Sequence, residues 1–192
     1  MQLPNKIFFT GVPGSRWSGI ARILENIPGI NTSDNNDNRV YTHNKYSGHT
    51  GAYFGERMEY NAWLDNDYID QAWAEPGGCK IVKSHDWAYI LENIKPRFPD
   101  AWIMLVYRPD FTSYSWWHEA GAFNIKYPNY SWYENSTKMM AEIAIQNNSI
   151  LKFAFDHDLT WSSFSPRWVK EQFGYDLDFD FKHHDILVTL LK

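Results

Sequence analysis

The sequence predicts an α/β fold: a three-layer, P-loop-like arrangement in which a mainly parallel central sheet is flanked by helices. Three observations lead there. Short apolar runs, Ile7-Phe8-Phe9, Cys79-Lys80-Ile81-Val82-Lys83 and Ala101 to Tyr107, recur between segments of helical character. The third run, AWIMLVY, is apolar without alternation, which marks a strand covered on both faces of a parallel sheet. The first run passes through a turn cluster, Gly11-Val12-Pro13-Gly14-Ser15, straight into an amphipathic segment with Ile20, Ile23, Leu24 and Ile27 at helical spacing. At 192 residues the chain is expected to form one domain, 1–192, large enough to bury a proper core.

In order, the first helix stops at Pro28-Gly29, and residues 31 to 55 are rich in Asn, Asp, Gly, Ser and Thr. They predict a long loop with a short extended piece at Arg39-Val40-Tyr41, and loops of this length tend to be functional. Residues 56 to 74, with Met58, Ala62, Trp63, Ile69 and Trp73, predict an irregular helical segment that Glu75-Pro76-Gly77-Gly78 breaks. The second strand, 79–83, ends in Ser84-His85. Asp86 is then a good N-cap for a helix carrying Ala88, Ile90, Leu91 and Ile94, stopping near Pro96. After the third strand and Arg108-Pro109-Asp110, Ser131-Trp132-Tyr133-Glu134 predicts a capping box opening a helix through about Asn147. Ile150 to Phe155 is expected as a fourth apolar strand. Ser165-Pro166 opens a last short helix that Gly174 ends.

Composition narrows the function classes. A net charge of −5 and a pI near 5.8 argue against a nucleic-acid surface but allow a local basic pocket. Aromatic residues make up 18% of the chain, with 10 Trp, enough to serve both a bulky core and a lined pocket. The one cysteine, Cys79, excludes an internal disulfide. No leader-like apolar segment or apolar run of membrane length occurs, so a soluble, cytoplasmic protein without membrane association is expected. His157 and His183-His184 lack the partner spacing of a metal site, so no metal is expected. Nothing in the sequence sets the oligomeric state.

Ligands of open parallel sheets bind outside the carboxyl ends of the strands. The first strand end presents Gly14, Ser15, Arg16 and Ser18, the second Lys83, Ser84 and His85, the third Arg108, Asp110, Ser113 and Ser115. A strand, small-residue loop and helix aim backbone N–H groups at an anion. Two guanidinium groups, an ammonium and several hydroxyls around one imidazole describe a site for a multiply anionic ligand beside a general base.

These segments resemble the sulfotransferases that use 3′-phosphoadenosine 5′-phosphosulfate. Their phosphosulfate loop, usually P-K-S-G-T-T-W, is similar to Pro13-Gly14-Ser15-Arg16-Trp17-Ser18. Their strand end K-T-H resembles Lys83-Ser84-His85. Their R-x-P-x-D, serine and aromatic pair are similar to Arg108-Pro109-Asp110 with Ser115-Trp116-Trp117-His118. ILKFAFDHDLTW followed by SPRWVKEQFG resembles their later strand, acidic segment and short helix. The chain departs from the pattern where the loop lysine is Gly14. Ser115 follows Arg108 by seven positions and Ser113 by five, where eight is usual, and the C-terminal R-K-G loop is absent.

The resemblance implies a sulfuryl transfer from the phosphosulfate donor, with no metal, to a hydroxyl or amine of a small-molecule or sugar acceptor held by the segment 31 to 75. It assigns the donor to Pro13, Gly14, Ser15, Arg16, Trp17 and Ser18, and the 3′-phosphate to Arg108 with Ser113 or Ser115. His85 is the implied general base, and Lys83 and Arg16 the implied cations at the leaving group. Two alternatives stay open. A P-loop small-molecule or nucleotide kinase lacks support from the Walker pattern, since no lysine follows Gly19. A nucleotide-binding or structural protein without catalysis is favoured by Gly14.

Overall fold

The computed structural model describes residues 2–44, 47–125 and 130–192. Its central sheet has five strands in the order β4-β1-β5-β7-β6. β1 (Lys6–Gly11) lies between β4 (Lys80–Lys83) and β5 (Trp102–Tyr107), parallel to both, with Phe8 opposite Val82 and Ile103. β7 (Leu187–Leu191) runs antiparallel to β5, and the short β6 (Ser162–Ser163) runs antiparallel to β7. The sheet is therefore mostly parallel, with an antiparallel margin that the sequence reading did not include.

Alternation along the strands feeds two cores. Phe8, Val82, Ile103 and Leu105 face α3 (Trp87–Arg97) and α5 (Ser136–Asp156), meeting Trp87, Leu91, Ile94, Met139, Ile143 and Phe153. Ile7, Phe9, Ile81, Met104 and Val106 point the other way. They meet Ile20 and Leu24 of α1 (Trp17–Leu24) and Trp168 and Phe173 of α6 (Pro166–Phe173). Both faces of the parallel strands β1, β4 and β5 are thus buried, as the unbroken apolar run of β5 requires.

Several expectations need correction. Ile150 to Phe155 is the last part of α5, not a strand. Met139, Ile143, Ile150 and Phe153 are buried at helical spacing while Phe155 is 82% exposed, a pattern of period 3.6. The helix opens at Ser136 rather than at Ser131, because the Asn135 side chain accepts from the Lys138 N–H and takes the cap. Asp86 does not cap α3; its carboxylate accepts from the Glu56 N–H at 2.7 Å. Of residues 56 to 74 only α2 (Asn66–Asp70) is helical, capped by Asp65. The long loop holds an antiparallel pair, β2 (Val40–Asn44) and β3 (Ser47–Thr50), in which Tyr41 stands opposite His49. The final helix is as expected: the Ser165 hydroxyl accepts from the Trp168 N–H, Pro166 opens it, and Gly174 closes it at φ 80°.

Candidate functional site

The loop after β1 is built by close packing. Ser15 turns it by giving both its N–H (3.1 Å) and its hydroxyl (2.7 Å) to the Val12 carbonyl. Gly14 sits at φ 79° against the start of α4 (Asp110–Ala120), where a Cβ would lie 1.9 Å from the Ser113 carbonyl oxygen. No side chain fits there without displacing the backbone of α4, which accounts for a glycine at this position. Arg108 fastens the loop, its Nη1 donating to the Gly14 carbonyl at 3.1 Å and its Nε to Asp185 at 2.6 Å. Arg16 then adopts a left-handed φ of 64° and opens α1, a conformation costly for a residue with a side chain and concentrated at functional sites.

A cavity of about 540 Å³ lies above this loop at the carboxyl edge of β1 and β4. Pro13, Gly14, Arg16, Trp17, Ser18, Lys83 and His85 all line it. Ser15, Arg108, Ser113 and Ser115 do not. Ser113 is fully buried and donates to the Arg108 carbonyl at 3.2 Å, so it serves the start of α4.

His85 is the best-placed titratable group. It is buried, and its Nδ1 lies 2.5 Å from the Gly11 carbonyl oxygen. A carbonyl can only accept, so Nδ1 carries the proton and Nε2 is left basic. Burial pushes the imidazolium down to about 4, against the opposing pull of the Gly11 bond, so the ring is neutral at physiological pH. Trp17 packs on it at 4.5 Å between ring centres.

The two cations differ in their engagement. Lys83 is 1% exposed, with its ammonium 3.1 Å from Glu25 and 3.6 Å from Asp34 and donating to the Thr50 carbonyl at 3.2 Å. Its charge is already balanced, and it ties α1, β3 and β4 together. Arg16 has no carboxylate within ion-pair range among the described residues; its guanidinium lies 4.4 Å over the Trp116 ring. Burial, and then the nearby Arg108, lower its pKa, both signs of a positive charge awaiting compensation.

The far wall comes in part from the segment 31 to 75, where the acceptor was expected without individual residues being assigned to it. Tyr41, His43 and His49 come from β2 and β3, and Trp116, Tyr130 and Tyr133 from the opposite side. His49 packs on Tyr53 at 4.3 Å and on His43 at 5.2 Å. Burial, followed by the charges of His43, Lys83 and His85, pushes it down to about 2, so it too is neutral. The available signal was the period-two spacing of Tyr41 and His43 on a short strand. Among the described residues, no group of three His, Cys, Asp or Glu side chains converges as metal ligands would. No helix among them is long and apolar enough to cross a membrane. No protein-family model, curated protein or solved structure matches this chain.

Proposed function

We propose that this chain is a sulfotransferase with a three-layer, P-loop-like fold, which transfers a sulfuryl group from 3′-phosphoadenosine 5′-phosphosulfate to a hydroxyl or amine of a small-molecule or sugar acceptor. The observation that carries the proposal is the sharing of one cavity by the neutral, Nδ1-anchored His85 and the glycine-containing loop at the start of α1. The donor's phosphosulfate lies against Pro13 to Ser18, where the Arg16 guanidinium and the positive end of α1 meet its charge. Arg108, through its bond to Gly14, acts here as the strut of that loop.

The step balances on these groups. His85 Nε2 takes the acceptor's O–H or N–H proton as the acceptor's lone pair attacks sulfur. The sulfur–oxygen bond to the nucleotide phosphate breaks, and the phosphate oxygen keeps the electron pair. Arg16 stabilises that developing charge. A donor anion beside His85 also raises the imidazole from about 4 towards the range where it is an effective base.

The test joins calorimetry with 3′-phosphoadenosine 5′-phosphate to an acceptor screen with labelled donor. Binding of the desulfated nucleotide, preference for it over ATP with magnesium, and transfer that His85→Ala removes without weakening nucleotide binding are the expected results. Preference for ATP with magnesium would point to a kinase. A nucleotide-binding protein without transfer is favoured by one observation, the double neutralisation of Lys83 by Glu25 and Asp34; binding with no transfer to any acceptor would decide for it.

A further inference from the structure

The opposite edge of the sheet, where β1, β4 and β5 begin, holds a second cavity of about 540 Å³. Lys6 opens β1 and Lys80 opens β4, in direct register with each other. Both side chains are more than nine-tenths buried, and both line the cavity. Both ammonium groups lie 2.8 Å from the same oxygen, Asp70 Oδ1, as ion pairs. Lys6 also donates to the Asn66 side-chain oxygen at 2.6 Å. A ring face also lies near each, Phe98 at 6.0 Å from Lys6 and Trp73 at 5.6 Å from Lys80.

Among the described residues no other carboxylate pairs with either ammonium group, so two buried charges share one carboxylate and one positive charge is left over. Arg97 and Asp100 also line the cavity with opposite signs, so they do not remove the excess. Burying an uncompensated charge is expensive, and the compact way to relieve it is an anion in the cavity. We propose that this cavity binds a compact phosphate-class oxyanion, gripped between Lys6 and Lys80. A tetrahedral anion presents oxygens in several directions at once and can answer both ammonium groups while Asp70 stays in place. This site is separate from the cavity beside His85 and does not depend on the function proposed for it.

Inorganic phosphate titrated into the full chain, followed by amide NMR, tests the proposal. The Gly77 and Gly78 amides, at the cavity wall, are expected to shift and saturate in the wild type and equally in Arg16→Ala. The paired substitution Lys6→Met with Lys80→Met is expected to abolish the response. Should that variant fail to fold, Asp70→Asn serves instead. It raises the local charge by one and is expected to tighten phosphate binding several-fold and to enlarge the thermal stabilisation by phosphate. Acetate is expected to bind several-fold more weakly than phosphate. Absence of saturable shifts at Gly77 and Gly78 would overturn the proposal, as would unchanged phosphate affinity in Asp70→Asn or equal affinity for acetate.

Discussion

Gly14→Ala tests the packing on which the whole loop depends. Two costs follow from the structure. The position has φ 79°, where a residue with a Cβ costs about 1–2 kcal/mol. The new Cβ also lies 1.9 Å from the Ser113 carbonyl oxygen and 2.9 Å from the Trp117 nitrogen, whereas ordinary contact begins at 3.4 Å. Both neighbours are backbone, so loop and α4 must part by more than an ångström, an overpacking cost of about 1–3 kcal/mol. The total is about 2–5 kcal/mol, and a chain of this size loses about 2–4 °C of Tm per kcal/mol. Urea denaturation reads it as a lower midpoint at unchanged slope. Gly14→Lys meets the same backbone and is expected to fall in stability without a gain in transfer. A loss below about 0.5 kcal/mol for Gly14→Ala, the scale of an ordinary surface change, would refute the close contact between loop and helix.

Three further outcomes follow from the same geometry. His85 is buried neutral with its pKa at about 4 against about 6.5 when unfolded, so the unfolded chain takes up the proton first as pH falls. Stability is then complete above about pH 6.5 and declines by about 3 kcal/mol towards pH 4; equal urea midpoints at pH 7 and pH 4.5, once corrected with His85→Ala, would contradict this. Lys83→Met leaves the buried Asp34 and the partly buried Glu25 without their shared cation, a loss of about 3–5 kcal/mol in chemical denaturation. Adding Glu25→Gln and Asp34→Asn should return most of it, and failure to do so would show that the ammonium acts by packing alone. Ser113→Ala removes one buried hydroxyl bond, about 1 kcal/mol; calorimetry is expected to give unchanged nucleotide affinity, and a clear loss would mean that the hydroxyl reaches the ligand.

The parts of the fold legible in the sequence are those with local signals. AWIMLVY, short and bounded by Pro99-Asp100 and Arg108-Pro109, reads as a strand covered twice, and Ser165-Pro166 with Gly174 brackets a helix by chemistry alone. Ile150 to Phe155 and Leu187 to Leu191 are both short apolar runs, and period cannot tell a strand from a helix over so few residues. Tertiary context decided them, α5 continuing through the first and β5 pairing with the second. The site divides in the same way. His85 and the loop residues Pro13, Gly14, Arg16, Trp17 and Ser18 lie next to strand ends, and all of them line the cavity. The partners that settle the state of Lys83 and Arg108, namely Asp34, Glu25 and Asp185, are distant in sequence and carry no local mark. Sequence therefore located the cations without revealing that two of them were already spoken for.

The partition of the interior by the sheet has a practical consequence. Leu24 and Ile143 are both fully buried, yet they belong to separate clusters and meet different faces of the strands. Truncations on opposite faces are expected to add, within the few tenths of a kcal/mol typical of sites without shared partners. The α1–α6 side and the α3–α5 side can thus be repacked one at a time, each scored against an unaltered opposite half. β1 is the exception, because Phe8 and Phe9 are adjacent in the chain and serve opposite sides. A change that shifts its backbone is transmitted to both, and its amides are expected to be among the last in the molecule to exchange.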